Sequence, residues 1–122
     1  MIHIVKKILV VDDNRDILDI VEIILTNDGF GVKTLVDGND TYSTVDTYKP
    51  DVILLDVCLG SSDGREICKI LKNASHTKDI PVIMFSANFK SIDVNKECKA
   101  NDFIAKPFDI AHLLTMVHSY AS

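Results

Sequence analysis

Four short apolar runs in this chain end on residues that could act together on one phosphoryl group. Ile8-Leu9-Val10-Val11 leads into Asp12 and Asp13, Val52-Ile53-Leu54-Leu55 into Asp56, Val82-Ile83-Met84-Phe85 into Ser86, and Phe103-Ile104-Ala105 into Lys106 and Pro107. Each run has the length and apolar composition of a buried strand. In an open parallel sheet, ligands bind outside the carboxyl ends of the strands, so residues just past those ends share one crevice. Three carboxylates, a hydroxyl and an ammonium would meet there.

Such a group has a definite chemistry. Asp12, Asp13 and Asp56 fall on neighbouring strand ends, and carboxylates that close cannot all stay ionised unless a cation joins them. A hard divalent ion is expected, and Mg2+ fits because it accepts few protein carboxylates, keeps waters and bridges readily to phosphate oxygens. A carboxylate can serve as nucleophile and form an acyl phosphate. Lys106, the metal and the Ser86 hydroxyl could then neutralise the charge of the transferring group. Taken singly, none of these residues is specific, since an Asp ending a strand often only caps a turn. The conjunction at four strand ends carries the signal.

The elements that must position these groups alternate. Ile17, Leu18, Val21, Ile24 and Leu25 recur at helical spacing after the first strand, with Asn14 as N-cap and Gly29 as the stop. A second strand is expected over residues 32–36, and a second helix over 39–48, ended by Lys49-Pro50. Asp63 followed by Glu66 reads as a capping box for a helix carrying Ile67, Ile70 and Leu71. A last amphipathic helix, entered through Asp109, carries Ile110, Leu113, Leu114, Val117 and Ala121. Between the fourth and fifth strands only Ile92, Val94 and Cys98 offer apolar positions, so the helix there is expected to be short or irregular. Strands alternating with helices predict an α/β fold, a parallel sheet covered on both faces.

Composition narrows the function classes. The 122 residues suit one domain, 1–122, and 47% hydrophobic with 25% charged residues suits a globular chain that needs neither disulfide nor structural metal. The formal charge of -5 argues against nucleic-acid binding, which needs clustered Lys and Arg. Apolar runs fall far short of the roughly 20 residues of a membrane span. The stretch before the first strand is too short for a signal peptide, so a cytoplasmic location is expected. Cys58, Cys68 and Cys98 are an odd number without metal-ligand spacing and read as free thiols. The four histidines form no catalytic or metal spacing; His112 and His118 are expected on the surface of the last helix.

These motifs, in this order over nearly the whole chain, resemble the receiver domain of two-component response regulators, similar in size to the stand-alone chemotaxis type. The resemblance makes Asp12 and Asp13 the acidic pair, Asp56 the phosphoacceptor, Ser86 the hydroxyl residue, Lys106 the lysine before a proline and Phe103 the aromatic switch. It implies a flavodoxin-like doubly wound sheet of five strands in the order 2-1-3-4-5, and a cis Lys106-Pro107 bond at Pro107. It further implies Mg2+ on Asp13, Asp56 and the backbone carbonyl of Cys58, with Asp12 acting largely through a water, and Lys106 on the phosphoryl oxygens. The implied activity is phosphoacceptance from a histidine kinase or histidine phosphotransfer protein. An altered surface is then presented to an output partner or domain, the protein being a monomer or a phosphorylation-dependent dimer. The domain would promote only its own phosphorylation and dephosphorylation and would not be an enzyme acting on a separate substrate.

Some positions depart from the family pattern. Gly60 and Ser62 stand where a proline and a methionine are usual, which predicts a more flexible loop after Asp56. Lys99 stands where the family commonly has Gly, and the stretch from Ser86 to Phe103 is short for the family. Two other classes fit these features less well. A haloacid-dehalogenase-type phosphatase wants DxD after its first strand and a cap insertion, whereas here Asp12 and Asp13 are adjacent. A phosphate-independent pseudo-receiver is disfavoured by intact Asp56, Ser86 and Lys106.

Overall fold

The computed structural model describes residues 4–60, 62–86 and 98–121. Five parallel strands form the sheet: β1 (Lys7–Val11), β2 (Gly31–Leu35), β3 (Val52–Asp56), β4 (Val82–Ser86) and β5 (Asp102–Ala105). Their order is β2-β1-β3-β4-β5, the doubly wound arrangement expected from the sequence. The order reverses beside β1, and the register brings Val11 opposite Leu55 and Asp56 opposite Phe85. The chain therefore leaves β1, β3 and β4 at one edge, where Asp12, Asp56 and Ser86 stand together.

Alternation along the buried strands sends successive side chains to opposite faces. Ile8, Val10, Leu54, Ile83, Phe85 and Ile104 pack under α1 (Arg15–Asn27) and the C-terminal helix α4 (Ile110–Ala121). Leu9, Val11, Ile53, Leu55, Val82 and Met84 pack under α2 (Thr41–Tyr48) and α3 (Gly64–Asn73). Each fully buried Val, Leu, Ile or Phe contributes about 1.5–3 kcal/mol relative to exposure, so both faces of the sheet resist displacement of the strand ends.

Helix starts follow their caps. The Asn14 side chain accepts the amides of Asp16 and Ile17 (3.0 and 3.3 Å), and Asp63 accepts that of Arg65 at 2.9 Å. Gly29, at φ 95°, turns the chain past the end of α1. Strand β2 begins at Gly31, one residue earlier than expected, because Gly31 pairs with Lys7 at the start of β1.

The second helix is shorter than its sequence signal. Residues Gly38–Asp40 form a 3-10 turn under an Asp37 side-chain cap, and α2 proper starts at Thr41. Close packing explains the tight turn: a Cβ on Gly38 would lie 2.8 Å from Ile67 Cδ1 and 3.0 Å from Leu59 Cδ1. The loop after Asp56 folds into a two-stranded antiparallel ribbon pairing Cys58 with Asp63 and Leu59 with Ser62. Gly60, at φ 65°, supplies the left-handed residue that its reversal needs. The short helix expected between β4 and β5 falls mostly on residues 87–97, outside the described residues; of that stretch Cys98 is helical.

Candidate functional site

The strand ends place Asp12, Asp13, Asp56 and Lys106 around one point. Asp12 follows β1, is fully buried, and its amide donates to Leu35 O at 3.0 Å. Its Oδ1 accepts the Asn14 amide at 2.9 Å, so the residue that caps α1 also orients this carboxylate. Asp13 is exposed at the rim. Asp56 ends β3 at 6% exposure, its Oδ1 accepting the Cys58 amide at 3.2 Å. Carboxylate oxygens of all three lie within 4.8 Å of one another.

Lys106 reaches this cluster from the end of β5. Its backbone amide donates to Ser86 O at 2.8 Å, carrying the pairing of β4 and β5 one step past the sheet. Its Nζ lies 2.6 Å from Asp12 Oδ2 and 3.4 Å from Asp56 Oδ2, with the side chain only 13% exposed. The Lys106–Pro107 peptide bond is cis.

Burial pushes the Asp56 carboxyl up to about 6, the neighbouring Asp12 charge adds to the rise, and Lys106 and the Cys58 amide oppose it. Burial and the Asp12 charge together outweigh the single ammonium of Lys106. The donor set is all oxygen and clustered, which suits a hard divalent cation such as Mg2+. Asp12, Asp13 and Asp56 could hold it.

Ser86 is buried at the end of β4 and is tied to Lys106 through its carbonyl. Phe103 pairs with Met84 across the sheet and is partly buried against the core beneath α2 and α3. Cys58 is exposed in the ribbon, Cys68 and Cys98 are buried, and no disulfide joins any of the three. His112 and His118 are exposed on α4, His118 pairing with Asp28. No helix among the described residues is long and apolar enough to cross a membrane.

Sequence reasoning passed over two residues. Gly64 opens α3 directly against the acceptor strand, and a Cβ there would stand 1.9 Å from the backbone oxygen of Asp56. The Asp63-Gly64 pair is the only sequence trace of that contact. Phe85 has the sequence signature of a core residue alone, yet its ring lies under Lys106, with Nζ 5.9 Å from the centroid. Periodicity reports that Phe85 is buried but not what rests on its face.

The family model for the response regulator receiver domain matches residues 8–118. The chain belongs to the response regulator receiver domain family. Solved receiver structures agree in detail with this domain. A protein assigned as a response regulator from Chloroflexus aurantiacus J-10-fl superposes with TM-score 0.91 at 27% identity, over 97% of this chain and 98% of that one. The chemotaxis response regulator CheY4 of Vibrio cholerae gives 0.88 at 27% identity, over 96% and 99%. The receiver domain of NtrX from Brucella abortus gives 0.83 at 30% identity, over 93% and 97%. The flavodoxin-like sheet of this receiver domain is thus the CheY-like one.

Proposed function

We propose that this receiver domain takes a phosphoryl group from a histidine kinase or histidine phosphotransfer protein onto Asp56 and thereby changes the surface it offers to an output partner or domain. One observation carries the reading. Asp56 stands at the central strand end with Oδ1 fixed by the Cys58 amide and Oδ2 facing the Lys106 ammonium, inside a cluster of carboxylates.

In the proposed transfer an Asp56 oxygen bonds to phosphorus as the donor's P–N bond breaks, and the departing imidazole keeps the bonding pair and is protonated. Bound Mg2+ would supply charge neutralisation on the phosphoryl oxygens and relieve the repulsion among the carboxylates. Lys106 can turn from Asp12 toward a phosphoryl oxygen without leaving the site, since both carboxylates already lie within 3.4 Å of Nζ. The Ser86 hydroxyl would complete the contacts to that group, and the Cys58 carbonyl would serve as a metal ligand.

The response would be a shift between two populated states. Drawing Ser86 toward the phosphoryl group frees space that Phe103 can fill, which repositions β5, the segment before it and α4. The domain would act in the cytoplasm, as a monomer or a phosphorylation-dependent dimer, and would catalyse only its own phosphorylation and dephosphorylation.

Incubation with acetyl phosphate and Mg2+, followed by intact mass, tests the reading. The parent should gain one phosphoryl group only with Mg2+ present, and Asp56→Asn should gain none while keeping its far-UV spectrum. An Asp56→Asn protein labelled as well as the parent would place the acceptor elsewhere.

A further inference from the structure

We infer that Phe85 is a positioning residue for the proposed phosphoryl transfer, its ring face holding the Lys106 ammonium between Asp12 and Asp56; the inference rests on the reading of Asp56 as acceptor. Phe85 is fully buried, next to last in β4. Its ring stacks on that of Phe108, centroids 5.9 Å apart and planes 19° from parallel. The Lys106 ammonium stands over the same ring, 5.9 Å from its centroid.

A lysine side chain is a poor choice for a fixed charge, because its flexible four-carbon stem samples many rotamers. Here three contacts confine it. Asp12 lies at 2.6 Å, Asp56 at 3.4 Å, and the aromatic face forms a third wall. The ring attracts a cation through its quadrupole but presents no strong acceptor to compete with the carboxylates or with an incoming phosphoryl oxygen. A face also tolerates lateral movement of the ammonium, which a directional hydrogen bond would resist. Phe108 buttresses the ring from beyond the Lys106-Pro107 turn, so the chain that carries the lysine also supports the surface beneath it. An aliphatic residue at 85 would fill the core equally well but offer no such surface.

Fluorination separates these roles, since replacing Phe85 by mono-, di- and trifluorophenylalanine drains the ring face while nearly preserving its shape. The rate of Asp56 phosphorylation by acetyl phosphate with Mg2+ should fall step by step, by roughly three- to tenfold at the third fluorine, while the melting temperature stays level. A flat rate across the series would overturn the inference. Ring-current shifts read the contact without any chemistry: the Lys106 Cε protons of the unmodified protein should be displaced upfield. Resonances at the positions of an unstructured lysine would overturn it as well. A protein that showed the upfield shift but took no phosphoryl group would retain the contact and sink the acceptor reading instead.

Discussion

Lys106 holds Asp12 more closely than it holds Asp56, with Nζ at 2.6 Å from the first carboxylate and 3.4 Å from the second. Asp12 is fully buried and Asp56 nearly so, hence the ammonium compensates two charges that are largely removed from water. Removing one partner of a buried pair leaves the other uncompensated. Lys106→Met should therefore lose about 3 kcal/mol or more in metal-free urea unfolding at neutral pH, and Asp12→Asn in the same chain should recover part of the loss. A Lys106→Met protein as stable as the parent would show that the pair is not a buried charge contact.

Asp56 gives a pH dependence of the opposite sign to an ordinary stabilising carboxylate. Its carboxyl is pushed up to about 6 from 3.8, by burial first and by the Asp12 charge second, so the folded protein binds this proton more readily than the unfolded chain. The metal-free protein should gain stability from this group as pH falls through about 6 toward 3.8. Asp56→Asn should be more stable than the parent at neutral pH by about 1–3 kcal/mol, with the difference closing across that window. Denaturant midpoints at several pH values measure both. The proposed phosphorylation needs the ionised carboxylate, which bound Mg2+ would hold ionised to lower pH, so its rate should fall only below that window.

Much of this was legible in the sequence because the central strands β1, β3 and β4 are buried on both faces and read as uninterrupted apolar runs, each closed by a polar residue. That pattern marks where Asp12, Asp56, Ser86 and Lys106 fall along the chain, and the resemblance to receiver domains implies which strand ends are neighbours. What escaped depends on tertiary contact. The 3-10 turn at Gly38–Asp40 exists because Ile67 and Leu59 crowd Gly38 from elements later in the chain. The ribbon after Asp56 is only two residues per strand, too short for a periodic signal. The Phe85–Lys106 contact joins two residues whose nearness follows from the β4–β5 register, which no local window contains.

Gly64 sets how closely α3 can approach the acceptor. A methyl group there would meet the Asp56 carbonyl oxygen at 1.9 Å and Val57 Cα at 3.1 Å, both backbone atoms that cannot turn aside. Gly64→Ala should cost about 3 kcal/mol or more and displace Asp56, lowering phosphorylation as well as the melting temperature. Unchanged values for both would mean that α3 shifts freely against β3.

Lys99 occupies a left-handed backbone at φ 60°, a conformation that a side chain disfavours and glycine accepts. Lys99→Gly should stabilise the protein by about 1 kcal/mol, measured as a higher urea midpoint with an unchanged slope. Destabilisation would show that the Lys99 side chain contributes more than its backbone costs.

The acceptor itself can be read directly by borohydride reduction of the protein after treatment with acetyl phosphate and Mg2+, because reduction converts an aspartyl phosphate to homoserine at the residue that carried it. Peptide sequencing by tandem mass spectrometry should find homoserine at position 56 in the Mg2+-treated protein and none in the metal-free control. Homoserine at position 12 or 13, or at no position despite a phosphoryl mass gain, would contradict phosphoryl transfer onto Asp56.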